Sequence, residues 1–134
     1  MESRDKIVVK LPCKPEYVSV ARLTVSGVAS RIGFDIDTVE DIKVAVSEVC
    51  SRIISVAGSS EKQYEIWFDI SAKKLTISFS AKIERINCIF EDDEDGLGAA
   101  IINAFMDEVE YCPEGKDYIL SMTKNFEVIS CNGL

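Results

Sequence analysis

Apolar residues recur along this chain in two rhythms, one of period two and one near 3.6. The β-branched run "KIVVKLP" (Lys6 to Pro12) closes on a proline and predicts a strand. The following stretch sets Val18, Ala21, Val25, Val28 and Ile32 at helical spacing, with Pro15 suited to the first turn and Gly33 as the stop. A second helical run carries Ile42, Ala45, Val46, Val49, Ile53 and Val56 on one wide face and ends at Gly58. At its opening, Asp37 and Glu40 stand at capping-box spacing, with Asp in place of Ser or Thr.

The second half alternates. "QYEIWFDIS" and "KKLTISFSA" predict two strands joined by a turn at Ser71 to Lys74. After the acidic segment "EDDEDGLG" (Glu91 to Gly98), a third helix is predicted through Ala99, Ile102, Phe105, Met106 and Val109. "EVEYC" and "DYILSMTK" flank "PEGK" (Pro113 to Lys116), a hairpin signal, and "FEVIS" extends the last strand. The order β-α-α-β-β-α-β-β implies an α/β (α+β) two-layer sandwich, a mostly antiparallel mixed sheet with helices on one face. With 134 residues, no repeat and no linker, residues 1–134 are expected to form a single domain.

Composition narrows the chemistry. A formal charge of −8 argues against a direct nucleic-acid partner, which requires a positive surface. The chain has no histidine, so Ser-His and Cys-His catalytic pairs are excluded. Five cysteines lack any C-x-x-C spacing; no metal site is expected, and reduced thiols are the expected state. No apolar run approaches a membrane span and no leader pattern opens the chain, which leads to an expected cytoplasmic location without membrane association.

The stretch "LPCKPEYVSVARLTVSGVASRIGFDIDTVEDIKVAVSEVCS", with the later "GLGAAIINAFMDEVEY" and "SMTK", resembles the RsbW-like anti-sigma-factor serine kinases. The resemblance runs from about Ile7 to Phe126. It implies a GHKL (Bergerat-type) ATP-binding fold in a homodimer. Members of that family hold a sigma factor inactive and phosphorylate an anti-anti-sigma protein on a serine, using ATP and Mg²⁺. Their sites combine an acid and an asparagine one turn apart on the second helix, an Asp-x-Gly motif after the third strand, a lid, and a glycine-rich start to the third helix.

Matched position by position, this chain departs from that pattern. Glu48 stands at the family's general-base position, a catalytic assignment expected to be vestigial. Where the Mg²⁺-binding asparagine belongs, there is Arg52, which offers only donors and a fixed positive charge. A guanidinium and a divalent ion about 5 Å apart repel by about 6–7 kcal/mol at an effective dielectric of about 20. The Asp-x-Gly position reads Ala81-Lys82-Ile83, so the adenine amino group loses its acceptor, a penalty of roughly 2–4 kcal/mol. Only Lys82 to Asp95 is left for a lid, and it carries the acids Glu91 to Asp95. Ile119 takes the place of the family's phosphate-contacting threonine. Gly96 and Gly98 survive as a remnant of the glycine motif, of the kind that lets backbone amides approach phosphate.

Glu48 and Arg52 stand in the i, i+4 order that favours an ion pair, and that reading is preferred to catalysis. Cys50 is expected to be a buried small hydrophobe, and Trp67 and Phe68 to point to opposite faces of a strand. Arg22 interrupts an apolar helix at the position where the family contacts both the sigma factor and the anti-anti-sigma protein, and Glu16 is a second candidate for that surface. The expected function is an anti-sigma-factor-like regulator with a degraded nucleotide site and no bound cofactor. The alternative is an active ATP- and Mg²⁺-dependent protein serine kinase acting on an anti-anti-sigma factor.

Overall fold

The computed structural model describes residues 4–58, 60–82, 89–90 and 96–126. Strand β1 (Asp5–Pro12) lies at one edge of a five-stranded sheet and pairs with β2 (Gln63–Ile70), which pairs with β3 (Lys74–Ala81). The sheet is completed by β5 (Leu120–Asn125) beside β3 and by β4 (Glu108–Tyr111) at the far edge. All four pairings are antiparallel, so no parallel component of a mixed sheet is found among the described residues.

Alternation gives this sheet one apolar face. Leu11, Tyr64, Ile66, Phe68, Leu75, Ile77, Phe79, Leu120 and Met122 are all buried. Three helices cover that face: α1 (Val18–Ile32), α2 (Ile36–Ala57) and α3 (Leu97–Phe105). α2 is the central one, packed against both α1 and α3. Its buried stripe runs Val39, Ile42, Ala45, Val46, Val49, Cys50, Ile53 and Ala57, a spacing set by 3.6 residues per turn. The opposite sheet face is polar. There the hydroxyls of Thr76 and Thr123 lie 3.2 Å apart, and those of Ser78 and Ser121 lie 3.0 Å apart.

Local chemistry sets the helix ends. Pro15 opens a 3-10 turn (Pro15–Tyr17) that precedes α1 rather than the helix itself. Gly33 ends α1 with φ of 117°, and a Cβ there would meet the Phe126 ring at 3.0 Å. α2 begins two residues earlier than the Asp37–Glu40 spacing suggested. Its cap is Asp35, in extended backbone, whose carboxylate accepts from the Thr38 amide at 2.8 Å. Glu40 is left free to bond Lys43 at 2.9 Å.

α3 is also shorter than its apolar spacing implied. It stops at Phe105, Met106 turns extended, and Val109 belongs to β4, opposite Met122. A contiguous apolar pattern serves either period; pairing with β5 decides it here. Phe68 is buried while Trp67 faces the other side, with its indole N–H on Glu65 at 2.8 Å and the Lys6 ammonium 4.4 Å from its ring. The segment 127–130 and the acids at 91–95 lie outside the described residues.

Candidate functional site

Helical register brings Glu48 and Arg52 to the same half-buried flank of α2. The two do not form the expected ion pair. The ion pairs among the described residues are Glu40–Lys43 and Lys124–Asp107. Instead the Arg52 guanidinium lies over the Phe90 ring, 5.4 Å from its centroid. A planar, weakly hydrated cation gains from an aromatic face that a carboxylate one turn away does not replace.

Phe90 has an aromatic neighbour as well. Its ring meets Tyr111 edge-on, with centroids 5.6 Å apart and planes at 88°. The Tyr111 hydroxyl reaches α3, lying 3.3 Å from the Ala99 carbonyl oxygen and 3.2 Å from Asn103 Oδ1. Ile89, beside Phe90, is buried in the core. Arg52, Phe90 and Tyr111 therefore form a stack that ties α2 to the α3–β4 unit. Sequence reasoning missed this stack. Phe90 and Tyr111 are remote from Arg52 along the chain, and no local spacing signals their meeting.

Gly96 sits at the N-cap of α3 with φ of 64° and ψ of 12°, and no side chain caps that end. Its carbonyl accepts from Ala100 at 2.9 Å. A Cβ on Gly96 would meet nothing within 4 Å, so the positive φ, and no close approach, is what demands glycine there. Gly98 is buried in the first turn. Ala81 ends β3 opposite Tyr64, and Ile119 donates its amide to the Phe79 carbonyl at 2.8 Å. Both are half-buried.

Below this flank, Cys50 is fully buried, and burial pushes its thiol up to about 12. Burial likewise raises the Tyr64 phenol. Its hydroxyl lies beside the Cys50 and Cys13 thiols and makes no hydrogen bond of ordinary geometry. Cys13 and Cys50 are free thiols, as expected. Cys112 departs from that expectation, because it is disulfide-bonded. Spacing along a sequence says nothing of which thiols fold to within bridging distance.

Arg22 and Glu16 lie elsewhere. Both are exposed, Arg22 on α1 and Glu16 in the 3-10 turn before it. The structure thus separates the α2–α3 flank from the outer side of α1. No helix among the described residues is long and apolar enough to cross a membrane.

Residues 11–124 match the model of the histidine kinase-like ATPase domain. The chain is 35% identical to a protein named serine-protein kinase RsbW from Bacillus cereus, over 82% of this chain and 79% of that one. A protein of the same name from Listeria innocua is 35% identical, over 96% of this chain and 93% of its own length. One from Bacillus thuringiensis is also 35% identical, over 82% and 79%.

Proposed function

The chain belongs to the RsbW-like branch of the histidine kinase-like ATPase domain family, and on that premise we propose that it works by binding rather than by phosphoryl transfer. In this reading it sequesters a sigma factor, or engages an anti-anti-sigma protein, and its ancestral nucleotide site no longer accepts Mg·ATP. Residues 1–134 act as one unit, and that unit is a homodimer in solution.

The observation that carries the proposal is the Arg52 guanidinium, stacked on Phe90 at the position where the family resemblance calls for a metal ligand. Mg²⁺ seeks a compact shell of oxygens, and a guanidinium supplies none. Ala81 and Lys82 offer no carboxylate for an adenine amino group. The residues present do not fit the metal–nucleotide pair, so no catalytic step is derived through it. Glu48 keeps the acid of a general base without the metal-bound phosphate it would serve. Arg22, exposed on α1, retains the guanidinium that suits a partner's carboxylate.

Incubation with labelled ATP and a cognate anti-anti-sigma protein tests this reading. No phosphate transfer is expected, while transcription dependent on the bound sigma factor is still inhibited. Transfer that disappears in Glu48→Ala contradicts it. A second reading, an active serine kinase, is favoured by the relatives named as kinases and by Gly96 and Gly98 at the start of α3. There Arg52 contacts phosphate itself, and Arg52→Ala abolishes transfer along with Glu48→Ala.

A further inference from the structure

A cavity of about 420 Å³ opens at the corner of the sheet where β1 ends, β2 begins and β3 ends. Strand register builds it. Lys10 on β1 pairs with Glu65 on β2, and Glu65 pairs with Ser80 on β3, so the three share one row of the polar face. Lys82 stands two positions past Ser80, just beyond the end of β3. Lys62 immediately precedes β2, and its carbonyl accepts the Cys13 amide at 2.9 Å, which fixes it beside the end of β1. All three lysines line the cavity.

None of these lysines forms an ion pair or a side-chain hydrogen bond with a described residue. The acids of the same wall are Glu61 and Glu65, so cations outnumber them three to two. That excess runs against a chain with 23 acidic and 15 basic residues. Glu65 already accepts the Trp67 indole N–H at 2.8 Å, and Ser80 donates its hydroxyl to the Asp117 carbonyl at 2.9 Å. The three ammonium groups keep their donors unused. Lys10 and Lys82 flank β2 from the strands on its two sides, which lie about 10 Å apart. Flexible four-carbon stems let both ammonium groups reach a group seated over β2. Like charges around one cavity repel one another, and an anion between them relieves that repulsion.

We propose that this cavity binds a small phosphate monoester, its phosphate held by the ammonium groups of Lys10, Lys62 and Lys82. The volume is that of a small-molecule site and exceeds what a bare phosphate fills. The lysine stems give the organic part an apolar wall, and Glu61 and Glu65 are acceptors for its hydroxyls. No residue of the wall lies on α2 or α3, so the site is separate from Arg52 and Gly96 and needs no Mg²⁺.

Titration of the isotope-labelled full chain with glucose 6-phosphate and, separately, glycerol 3-phosphate tests this, followed by amide NMR shifts without Mg²⁺. Saturable shifts are expected at Lys10, Lys62 and Lys82, with weaker binding of inorganic phosphate and none of glucose. Lys10→Gln/Lys82→Gln raises the dissociation constant about tenfold or more, and Lys62→Gln, on a separate segment, raises it as well. Added salt weakens binding by the wild type. Thermal melts that match the wild type establish that the variants are folded. No saturation with either ester by about 10 mM overturns the proposal, since attraction that weak makes no site. Wild-type affinity in both variants does the same. Sulfate bound as tightly as the esters shows an adventitious ion only and overturns it. AMP bound with shifts confined to α2 and α3, while neither ester binds, assigns the phosphate to the nucleotide flank and overturns it too. Each of these outcomes leaves the sigma-factor reading standing.

Discussion

At the scale of single residues, Arg52 shows how a long-range contact overrides a local one. Its spacing from Glu48 is right for an ion pair, yet the guanidinium covers Phe90. An exposed i, i+4 pair is worth only about 0.2–0.5 kcal/mol, less than a well-placed cation over an aromatic face. Arg52→Ala is expected to lower stability by about 0.5–1 kcal/mol through loss of that contact, read from the urea midpoint. Glu48→Ala, lacking such a partner among the described residues, should leave the midpoint near that of the wild type. The sequence placed Glu48 and Arg52 on one flank because helical register is local. It was silent about Phe90 because a residue 38 positions away meets Arg52 only through tertiary packing.

Asp35 gives a pH dependence whose sign is determined. Its bond to the Thr38 amide holds its carboxyl below the ordinary value of 3.8. A carboxyl whose folded-state value is depressed adds stability above its unfolded value, and that contribution disappears as pH falls through the folded one. Asp35→Ala is therefore expected to lower Tm at pH 6, and the gap to the wild type should close as the pH falls below 3.8. A gap that does not narrow as the pH falls contradicts the cap assignment.

At the scale of elements, the apolar periods located all three helices and the strands, and failed at their ends. The Asp37–Glu40 spacing resembled a cap, but chain reversal at Gly33 already provides Asp35 in extended backbone, and the first available carboxylate caps the start of the helix. Val109 fits the spacing of α3 as well as it fits a strand, and only the partner strand β5 decides. The reversal itself is testable. Gly33→Ala puts a Cβ into a left-handed position against Phe126, and is expected to destabilise by about 1–3 kcal/mol, measured by chemical denaturation. Gly96, read as the remnant of a glycine motif, stands at the N-cap of α3 with a positive φ. The stack that closes the flank, assembled from α2, Phe90 and β4, was not legible in local spacing.

At the scale of the molecule, one antiparallel sheet and three helices enclose a core in which Cys50 and Tyr64 lie deep. With its thiol pushed up to about 12 and no access to solvent, Cys50 is expected to resist iodoacetamide at pH 8 until the fold opens. Mass-spectrometric mapping of native and urea-unfolded protein checks this, and rapid native labelling at Cys50 contradicts the packing. The same whole-molecule view bears on function. The core and sheet keep the architecture of the histidine kinase-like ATPase domain family, while among the described residues the α2 flank presents the Arg52 guanidinium over Phe90. In the proposed reading fold and nucleotide chemistry have parted: the core requires the scaffold, and a binding function does not require the nucleotide.

Calorimetric titration of the full chain with Mg·ATP addresses that separation directly. The expectation is no saturable binding at micromolar nucleotide, and only partial recovery in Arg52→Asn, because Ala81 supplies no acceptor for adenine. Micromolar, Mg²⁺-dependent binding by the wild type contradicts it.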